Sequence, residues 1–202
     1  MVVNLPALLV GVIVAVYWAR VLRMTRRSKR RVGRLANLIP GETVGVMTRL
    51  IWVPVVGLWI ALPLLAALGR PRGRGFHALV QSTALGWVGV VIAVLAFAMT
   101  LICWKRMGRS WRIGIDPVET TPLVVAGPYA SVRHPIYALS SLLMLATIAV
   151  WPTTVMCAVG LIHLALLQFE TRREEAHLLR VHGAIYQDYC RRTPRFFPRI
   201  FR

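Results

Sequence analysis

The segment from Gly127 to Tyr137 reads GPYASVRHPIY, and it places chemically versatile side chains directly before an apolar run. Arg133 supplies a permanent cation, His134 an imidazole that donates or accepts near neutral pH, and Tyr137 an aromatic face with a hydroxyl. The two prolines disfavour helix just before them, so we predict an ordered loop and a helix that begins near Pro135. In a simpler alternative, the arginine and the tyrosine only anchor the chain at a membrane boundary.

A second group of polar residues lies near the carboxy end, where most of the acidic side chains are found. The chain has only seven acidic residues, and four of them are Glu170, Glu174, Glu175 and Asp188. On a helix, residues four apart share a face, so these carboxylates could instead form a lattice of ion pairs with neighbouring arginines. Tyr186 and Tyr189 follow three residues apart, and aromatic packing is the alternative role for them.

Two apolar segments, residues 136–150 and 153–169, separate the two polar groups. Each is short for a full membrane crossing, so we predict a tight helical hairpin that returns the chain to the side from which it left. The RHP segment would then lie beside the glutamates. Carboxylates suit an ammonium or a sulfonium, arginine suits a carboxylate, and aromatic faces suit a purine, so the combination predicts a pocket for a zwitterionic, cationic cofactor. The sequence shows no Ser/His/Asp triad and no Gly-rich phosphate loop.

The amino-acid composition of the chain is that of a membrane protein, so membrane helices must position these residues. The chain is 57% hydrophobic and only 16% charged, which is outside the usual range of a soluble domain of this length. The net charge of +18 comes from short basic runs between apolar spans, a pattern that favours topology signals and contact with anionic lipid headgroups over nucleic-acid binding. The three cysteines form no CxxC pair and no cluster at metal spacing, so we expect free thiols and no metal site.

Three membrane helices are predicted before the hairpin, at residues 5–22, 44–68 and 79–103. Residues 20–34 contain eight basic and no acidic side chains, so the positive-inside rule assigns them to the cytoplasm and the amino end to the outside. In this topology, Arg70, Arg72 and Arg74 are the basic residues that face outward. The tail from residue 190 alternates arginines with aromatic residues and is predicted to lie on the membrane surface.

We therefore predict an all-α integral membrane protein, a bundle of about five transmembrane helices that includes the short hairpin. A charged, cytoplasmic carboxy-terminal helix that begins at Glu170 follows it. The chain is predicted to form a single domain, with residues 1–103 as a three-helix membrane region and residues 104–202 as the cofactor-binding, catalytic region at the cytoplasmic face.

Taken in order, the motifs resemble the carboxy-terminal part of the isoprenylcysteine carboxyl methyltransferase and phospholipid methyltransferase superfamily. These motifs are GPY, RHP-x-Y, a Glu pair, a Gly followed by Tyr-x-x-Tyr, and a closing Arg/Pro segment, and they cover roughly residues 105–198. The resemblance implies that this part binds S-adenosylmethionine at the cytoplasmic side and that a lipophilic methyl acceptor arrives from the bilayer. The residues that it implies for the cofactor are Gly127, Pro128, Tyr129, Arg133, His134, Tyr137, Glu174, Tyr186 and Tyr189.

Three further residues are candidates for the catalytic side of the same pocket. Arg173 or Arg195 could orient a carboxylate acceptor, and Glu175 could contribute to the pocket or to the acceptor side. A carboxylate acceptor needs no general base, whereas an amine or a thiol must lose a proton, for which His134, His177 or a glutamate is available.

Other interpretations remain open at this point. The acceptor could be a phospholipid amine or a small thiol instead of a lipophilic carboxylate. Membrane sterol-type reductases are similar in their carboxy-terminal half and use NADPH, although this chain has fewer spans than expected of them. A non-enzymatic membrane scaffold, anchored by its charged rim, is the third alternative.

Overall fold

The computed structural model describes residues 4–32, 43–111, 115 and 122–199, and its regular structure in these ranges is helical. The helices are α1 (Leu5–Val32), α2 (Thr43–Ala67), α3 (Thr83–Met107), α4 (Pro128–Ser131), α5 (Pro135–Val150), α6 (Thr154–His182) and α7 (Ala184–Arg192). Short 3-10 turns lie at Arg74–Phe76 and Gly108–Ser110. The described ranges contain no β-strand, and the prediction of an all-α protein is confirmed.

Four helices in the described ranges are long and apolar enough to cross a membrane. They are α1, over Leu5–Arg27, together with α2, α3 and α6, whereas α5 is a shorter apolar helix. These helices leave many large apolar side chains on the outside of the bundle, among them Leu50, Val91 and Leu161. An exterior of this kind is compatible with lipid and not with water, which confirms an integral membrane bundle.

The predicted hairpin forms, but its second arm is not short. Helix α5 covers the first arm almost as predicted, whereas α6 continues past Phe169 to His182 without interruption. The prediction of a separate charged helix beginning at Glu170 is therefore wrong. The segment after Phe169 lacks Gly and Pro until Gly183, whose φ of +54° ends the helix, as glycine commonly does. Tyr186 and Tyr189 consequently lie on α7, a different helix from the glutamates.

The core lies where α1 packs between α2 and α3 and where α3 runs along α5. Its largest fully buried side chain is Trp59 of α2, whose indole N–H donates to the Thr147 hydroxyl of α5 at 2.9 Å. Thr147 also donates back to the Leu143 carbonyl, so both polar groups are satisfied inside the bundle. Burial of this indole with its hydrogen bond joins the hairpin to the amino-terminal helices.

At one end of the bundle, the loop before α3 is attached to the turn of the hairpin. Leu79 donates its N–H to the Pro152 carbonyl at 2.7 Å, and Ala78 forms an isolated bridge with Thr153. The Phe76 and Trp151 rings stack nearly parallel with centroids 6.3 Å apart. The predicted third span therefore begins at Thr83 instead of residue 79, because the preceding residues pair with the hairpin turn.

We expect Gly89→Ala to destabilise the bundle and Gly57→Ala to be neutral or slightly stabilising. A Cβ at Gly89 would lie 2.8 Å from the Ala146 carbonyl oxygen of α5, whereas a Cβ at Gly57 meets nothing within 4 Å. The backbone of α5 cannot move aside cheaply, so the loss should be about 1–3 kcal/mol. Thermal unfolding of the two variants in the same detergent tests this. Equal melting temperatures would contradict the close contact of α3 with α5.

Candidate active site

The loop between α3 and α5 has a conformation that its glycine and prolines specify. Gly127 has a φ of +67°, which a side chain would strain, and Pro128 then opens the single turn α4. Val132 is extended, and Pro135 occupies the first turn of α5, as predicted. The extended residues between the two turns carry the Arg133 and His134 side chains toward α6.

The carboxylate of Glu175 lies at the centre of this region and accepts hydrogen bonds from three basic side chains. Its Oε1 is 3.0 Å from Arg133 Nε, 3.2 Å from His134 Nε2 and 3.1 Å from Arg195 Nε, and a second Arg195 nitrogen reaches Oε2. Since a carboxylate only accepts, His134 must donate from Nε2. The paired Glu175 raises the pKa of the Arg195 guanidinium. We call these four side chains the Glu175 cluster.

Backbone hydrogen bonds hold the carboxy-terminal tail against the same loop. The N–H groups of Arg133 and His134 donate to the carbonyls of Pro194 and Arg195, at 2.9 and 3.1 Å. Arg133 NH1 also donates to the Cys190 and Thr193 carbonyls, which lie at the end of α7, where a cation is favourable. Loop, α6 and tail are thus fixed to one another.

A cleft opens between this loop, α6 and α7. It contains about 940 Å³ of space, including the part that is open to solvent. Its walls are Met107, Ser110, Trp111, Ile115, Pro122, Leu123, Val124, Tyr129, Arg133, His134, Pro135, Ile136, Tyr137, Glu174, His177, Leu178, His182, Tyr186 and Tyr189.

An aromatic stack and a carboxylate meet in the cleft. The His134 and Tyr137 rings stack at 5.6 Å with an angle of 10°, and the Phe196 ring approaches His134 at 6.2 Å. Glu174 Oε2 lies 3.8 Å from His134 Nδ1. This face of the cleft combines negative charge with flat π surfaces, which is suitable for an organic cation.

Phenolic hydroxyls in the cleft wall are neutral donors. Tyr189 donates to the Tyr129 carbonyl, and burial raises the pKa of Tyr189 to about 12. Burial also raises the pKa of Tyr129 and of Tyr186. Their two hydroxyl oxygens are buried without a hydrogen-bond partner among the described residues, although the Cys190 thiol is near Tyr186. Such groups are costly in a folded protein, so they are candidates for ligand contacts.

The candidate residues predicted from the sequence lie at different places in the structure. Seven of them line the cleft, namely Tyr129, Arg133, His134, Tyr137, Glu174, Tyr186 and Tyr189. Gly127 and Pro128 shape the turn before it. Glu175 and Arg195 line a separate, more open surface depression, together with Tyr186 and Cys190. Arg173 pairs with Glu170 at 2.8 Å and lies over the Phe169 ring.

Several cleft residues were not identified from the sequence. Leu178 and His182 follow Glu174 at intervals of four, so helical periodicity alone would place them on the same face of α6. Trp111 and Ile115 come from the segment after α3, which the sequence showed only as a polar loop. Arg112 and the side chain of Arg109, which belong to the same segment, lie outside the described residues. Within the described ranges, no group of three His, Cys, Asp or Glu side chains could hold a metal ion.

Comparison with known proteins supports the resemblance seen in the motifs. Residues 87–180 match the model of the isoprenylcysteine carboxyl methyltransferase (ICMT) family. The matched range begins in α3 and ends in α6, and it includes the RHP segment and both glutamates, Glu174 and Glu175. The predicted resemblance to this superfamily is confirmed.

Two curated bacterial proteins are similar in sequence. The nickel-cobalt-cadmium resistance protein NccN of Alcaligenes xylosoxydans xylosoxydans is 32% identical over 115 residues, which are 56% of this chain and 53% of the relative. The cobalt-zinc-cadmium resistance protein CzcN of Cupriavidus metallidurans is 30% identical over 150 residues, which are 72% of this chain and 64% of the relative. The chain thus spans between half and two thirds of the length of these curated relatives.

We expect Glu175→Gln to lower the free energy of unfolding by about 3 kcal/mol, because it leaves the largely buried Arg133 guanidinium and the partly exposed Arg195 guanidinium without their counter-ion. Asp188→Asn is the matched control, since Asp188 pairs with Arg191 at the exposed surface and should change stability by less than about 1 kcal/mol. Chemical unfolding in detergent measures both. A Glu175→Gln protein as stable as the control would mean that the Glu175 cluster does not hold loop, α6 and tail together.

Removal of the Tyr189 hydroxyl and removal of the Tyr186 hydroxyl should affect stability differently. Tyr189→Phe loses the hydrogen bond to the Tyr129 carbonyl and should lower the free energy of unfolding by about 1 kcal/mol. Tyr186→Phe removes a buried hydroxyl without a partner among the described residues, so stability should be unchanged or raised. Thermal unfolding of both proteins is the measurement, and a Tyr186→Phe protein as destabilised as Tyr189→Phe would show that the Tyr186 hydroxyl is already satisfied.

Proposed function

We propose that this chain, whose residues 87–180 carry an ICMT family domain, is an S-adenosylmethionine-dependent membrane methyltransferase that acts on a lipophilic acceptor. The observation that carries the proposal is the cleft itself, in which the Glu174 carboxylate lies beside the stacked His134 and Tyr137 rings. We place the cleft at the cytoplasmic face, with the amino end outside, because the basic residues in the carboxy-terminal half of α1 and around the end of α3 then lie inside.

The groups in the cleft fit the charges of the cofactor. The Glu174 carboxylate suits the ammonium or the ribose hydroxyls, and the aromatic faces suit the sulfonium and the adenine. The hydroxyls of Tyr129 and Tyr186 are donors for the remaining polar atoms. Arg133 is a less direct contact in this proposal, because its Nε and NH1 groups already donate to Glu175 and to two carbonyls.

When bound, the cofactor supplies an already activated methyl group, so the residues of the chain have to align the acceptor and exclude water. Tyr137 and Ile136 at the start of α5 form the wall on the membrane side and would orient the acceptor toward the cleft. For a carboxylate acceptor no proton moves. For an amine or a thiol, the proton would pass to Glu174 or to His134 Nδ1, which face each other.

The predicted catalytic residues have distinct parts in this proposal. Glu175 and Arg195 are positioning residues, since both hold His134 and Arg133 in place and lie behind the cleft wall. Arg173 would orient the acceptor only if the acceptor were a carboxylate, and Glu170 already shares its guanidinium.

The first test measures binding of S-adenosylhomocysteine to the detergent-purified chain from the shift in its melting temperature. A ligand that binds only the folded state raises the melting temperature, and the increase grows with the ratio of the ligand concentration to its Kd. We expect stabilisation by S-adenosylhomocysteine and none by NADPH. Glu174→Gln should weaken binding at least tenfold while the unliganded melting temperature changes little, and Asp188→Asn should bind as the parent does.

The alternatives give different results in the same experiment. Stabilisation by NADPH alone would support a reductase. Protein that is folded and monodisperse but responds to neither ligand would support a scaffold. Unchanged binding by Glu174→Gln would show that the cofactor lies elsewhere in the chain.

A further inference from the structure

A second cavity lies next to the cleft, inside the membrane-crossing part of the bundle. It contains about 460 Å³ of space, including its open part, and it is lined by Tyr17, Trp18, Val21, Trp52, Trp104, Trp111, Ile136, Tyr137, Ser140 and Leu167. We call it the aromatic chamber. Three of its residues, Trp111, Ile136 and Tyr137, also line the cleft, so the two cavities share a wall. A molecule in the chamber would meet the cleft at these three side chains.

The lining of the chamber contains no charged side chain. Four indoles and two phenol rings supply most of its surface, and the remaining residues are aliphatic apart from Ser140. The guanidinium groups of Arg20 and Arg49 lie over the Trp104 and Trp52 rings, 5.9 and 5.1 Å from the ring centroids, and neither group belongs to the lining. A carboxylate or a phosphate in the chamber would therefore lose its hydration without a charged side chain of the lining to pair with, which is unfavourable at membrane depth. Flat rings instead pack well against a compact apolar body. The chamber therefore selects for a neutral occupant.

Most polar groups around the chamber are already paired with one another. Trp52 Nε1 lies 3.3 Å from His163 Nδ1, and His163 Nε2 lies 3.1 Å from the Ser140 hydroxyl. An indole N–H only donates, so His163 accepts at Nδ1, carries its proton at Nε2 and donates to Ser140. The fully buried His163 is thus held as a neutral bridge between α2 and α5.

The indole N–H of Trp18, by contrast, has no such partner in the described ranges. Its Nε1 is buried and has no hydrogen-bond partner among the described residues, although the ring itself is fixed by edge contacts with Trp52 and Trp59 at 6.0 and 6.3 Å. A buried N–H without a partner is rare in folded proteins, where such groups are bonded to protein, water or ligand atoms. A molecule in the chamber that offers an acceptor atom would satisfy it.

We propose that the aromatic chamber binds the body of the methyl acceptor, and that this acceptor is a compact, neutral, apolar molecule with a hydrogen-bond acceptor atom for Trp18 Nε1. Its reactive end would face the shared wall of Trp111, Ile136 and Tyr137. That the bound molecule is the methyl acceptor rests on the proposed function. Binding to the chamber itself can be measured without any cofactor.

The test uses the full chain in detergent and 6-fluoro-2-naphthol, a neutral planar probe with a hydroxyl oxygen. Binding is followed by fluorine NMR, with 6-fluoro-2-naphthoate as the charged probe of the same shape. We expect saturable binding of the naphthol, and binding of the naphthoate at least tenfold weaker. Equal binding of the two probes would overturn the requirement for a neutral ligand.

Two pairs of variants locate the bound probe. Val21→Phe fills the chamber and should weaken naphthol binding at least tenfold, whereas Val91→Phe on the outer face of α3 should not change it. Trp18→Phe should weaken binding about fivefold to tenfold, as expected for one buried hydrogen bond, and Trp87→Phe on the outside should not. Parent-like binding by Val21→Phe, or by Trp18→Phe where Val21→Phe is unfolded, would place the probe outside the chamber.

Binding of S-adenosylhomocysteine is measured on the same samples. Naphthol binding that depends on Val21 and Trp18, without S-adenosylhomocysteine binding, would refute the methyltransferase proposal and leave the chamber as a ligand site. Cofactor binding without chamber binding would refute only the inference about the acceptor.

Discussion

The site depends on the hydrogen bonds and ion pairs that the Glu175 carboxylate accepts. This carboxylate accepts from Arg133, His134 and Arg195, three groups that lie on two segments far apart in the sequence. A chain with 25 Lys and Arg residues against seven acidic ones has little negative charge available, and its acidic residues are concentrated where cations must be brought together. Because the carboxylate is largely buried, loss of one partner leaves another charge unpaired, so the cluster forms or fails as a unit.

The adjacent residues Glu174 and Glu175 have different contacts because of helix geometry. Successive residues on an α-helix point about 100° apart, so Glu174 and Glu175 cannot face the same direction. Glu175 points to the loop and the tail, whereas Glu174 points into the cleft beside His134 and Tyr137. The same dipeptide therefore fixes the wall and supplies the negative charge inside it. This arrangement needs α6 to be continuous well beyond its apolar part, and it is continuous to His182.

Much of the fold could be predicted because membrane helices are specified locally, by the length of their apolar runs. The RHP segment and the glutamates could be placed together for the same reason, since a hairpin returns to its starting side. The extent of α6 was missed because polar residues after Phe169 looked like the start of a new element, although nothing there breaks a helix. The pairing of Arg133 and His134 with Pro194 and Arg195 was beyond prediction, because a backbone contact between segments about sixty residues apart leaves no local pattern.

The chemistry of the two cavities differs in a way that follows from their depth. The cleft lies where α6 has become polar, so charged groups there are paired and partly hydrated. The chamber lies among α1, α2, α3, α5 and α6, where an unpaired charge would be too costly, and Trp52 Nε1 and the Ser140 hydroxyl are bonded through His163, whereas Trp18 Nε1 has no partner among the described residues. Under the proposed function, a charged donor in the cleft and a neutral acceptor in the chamber would then meet where Trp111, Ile136 and Tyr137 line both cavities. Tyr137 and Ile136 would hold them apart from water and direct them to the same place, which is what methyl transfer requires of a protein.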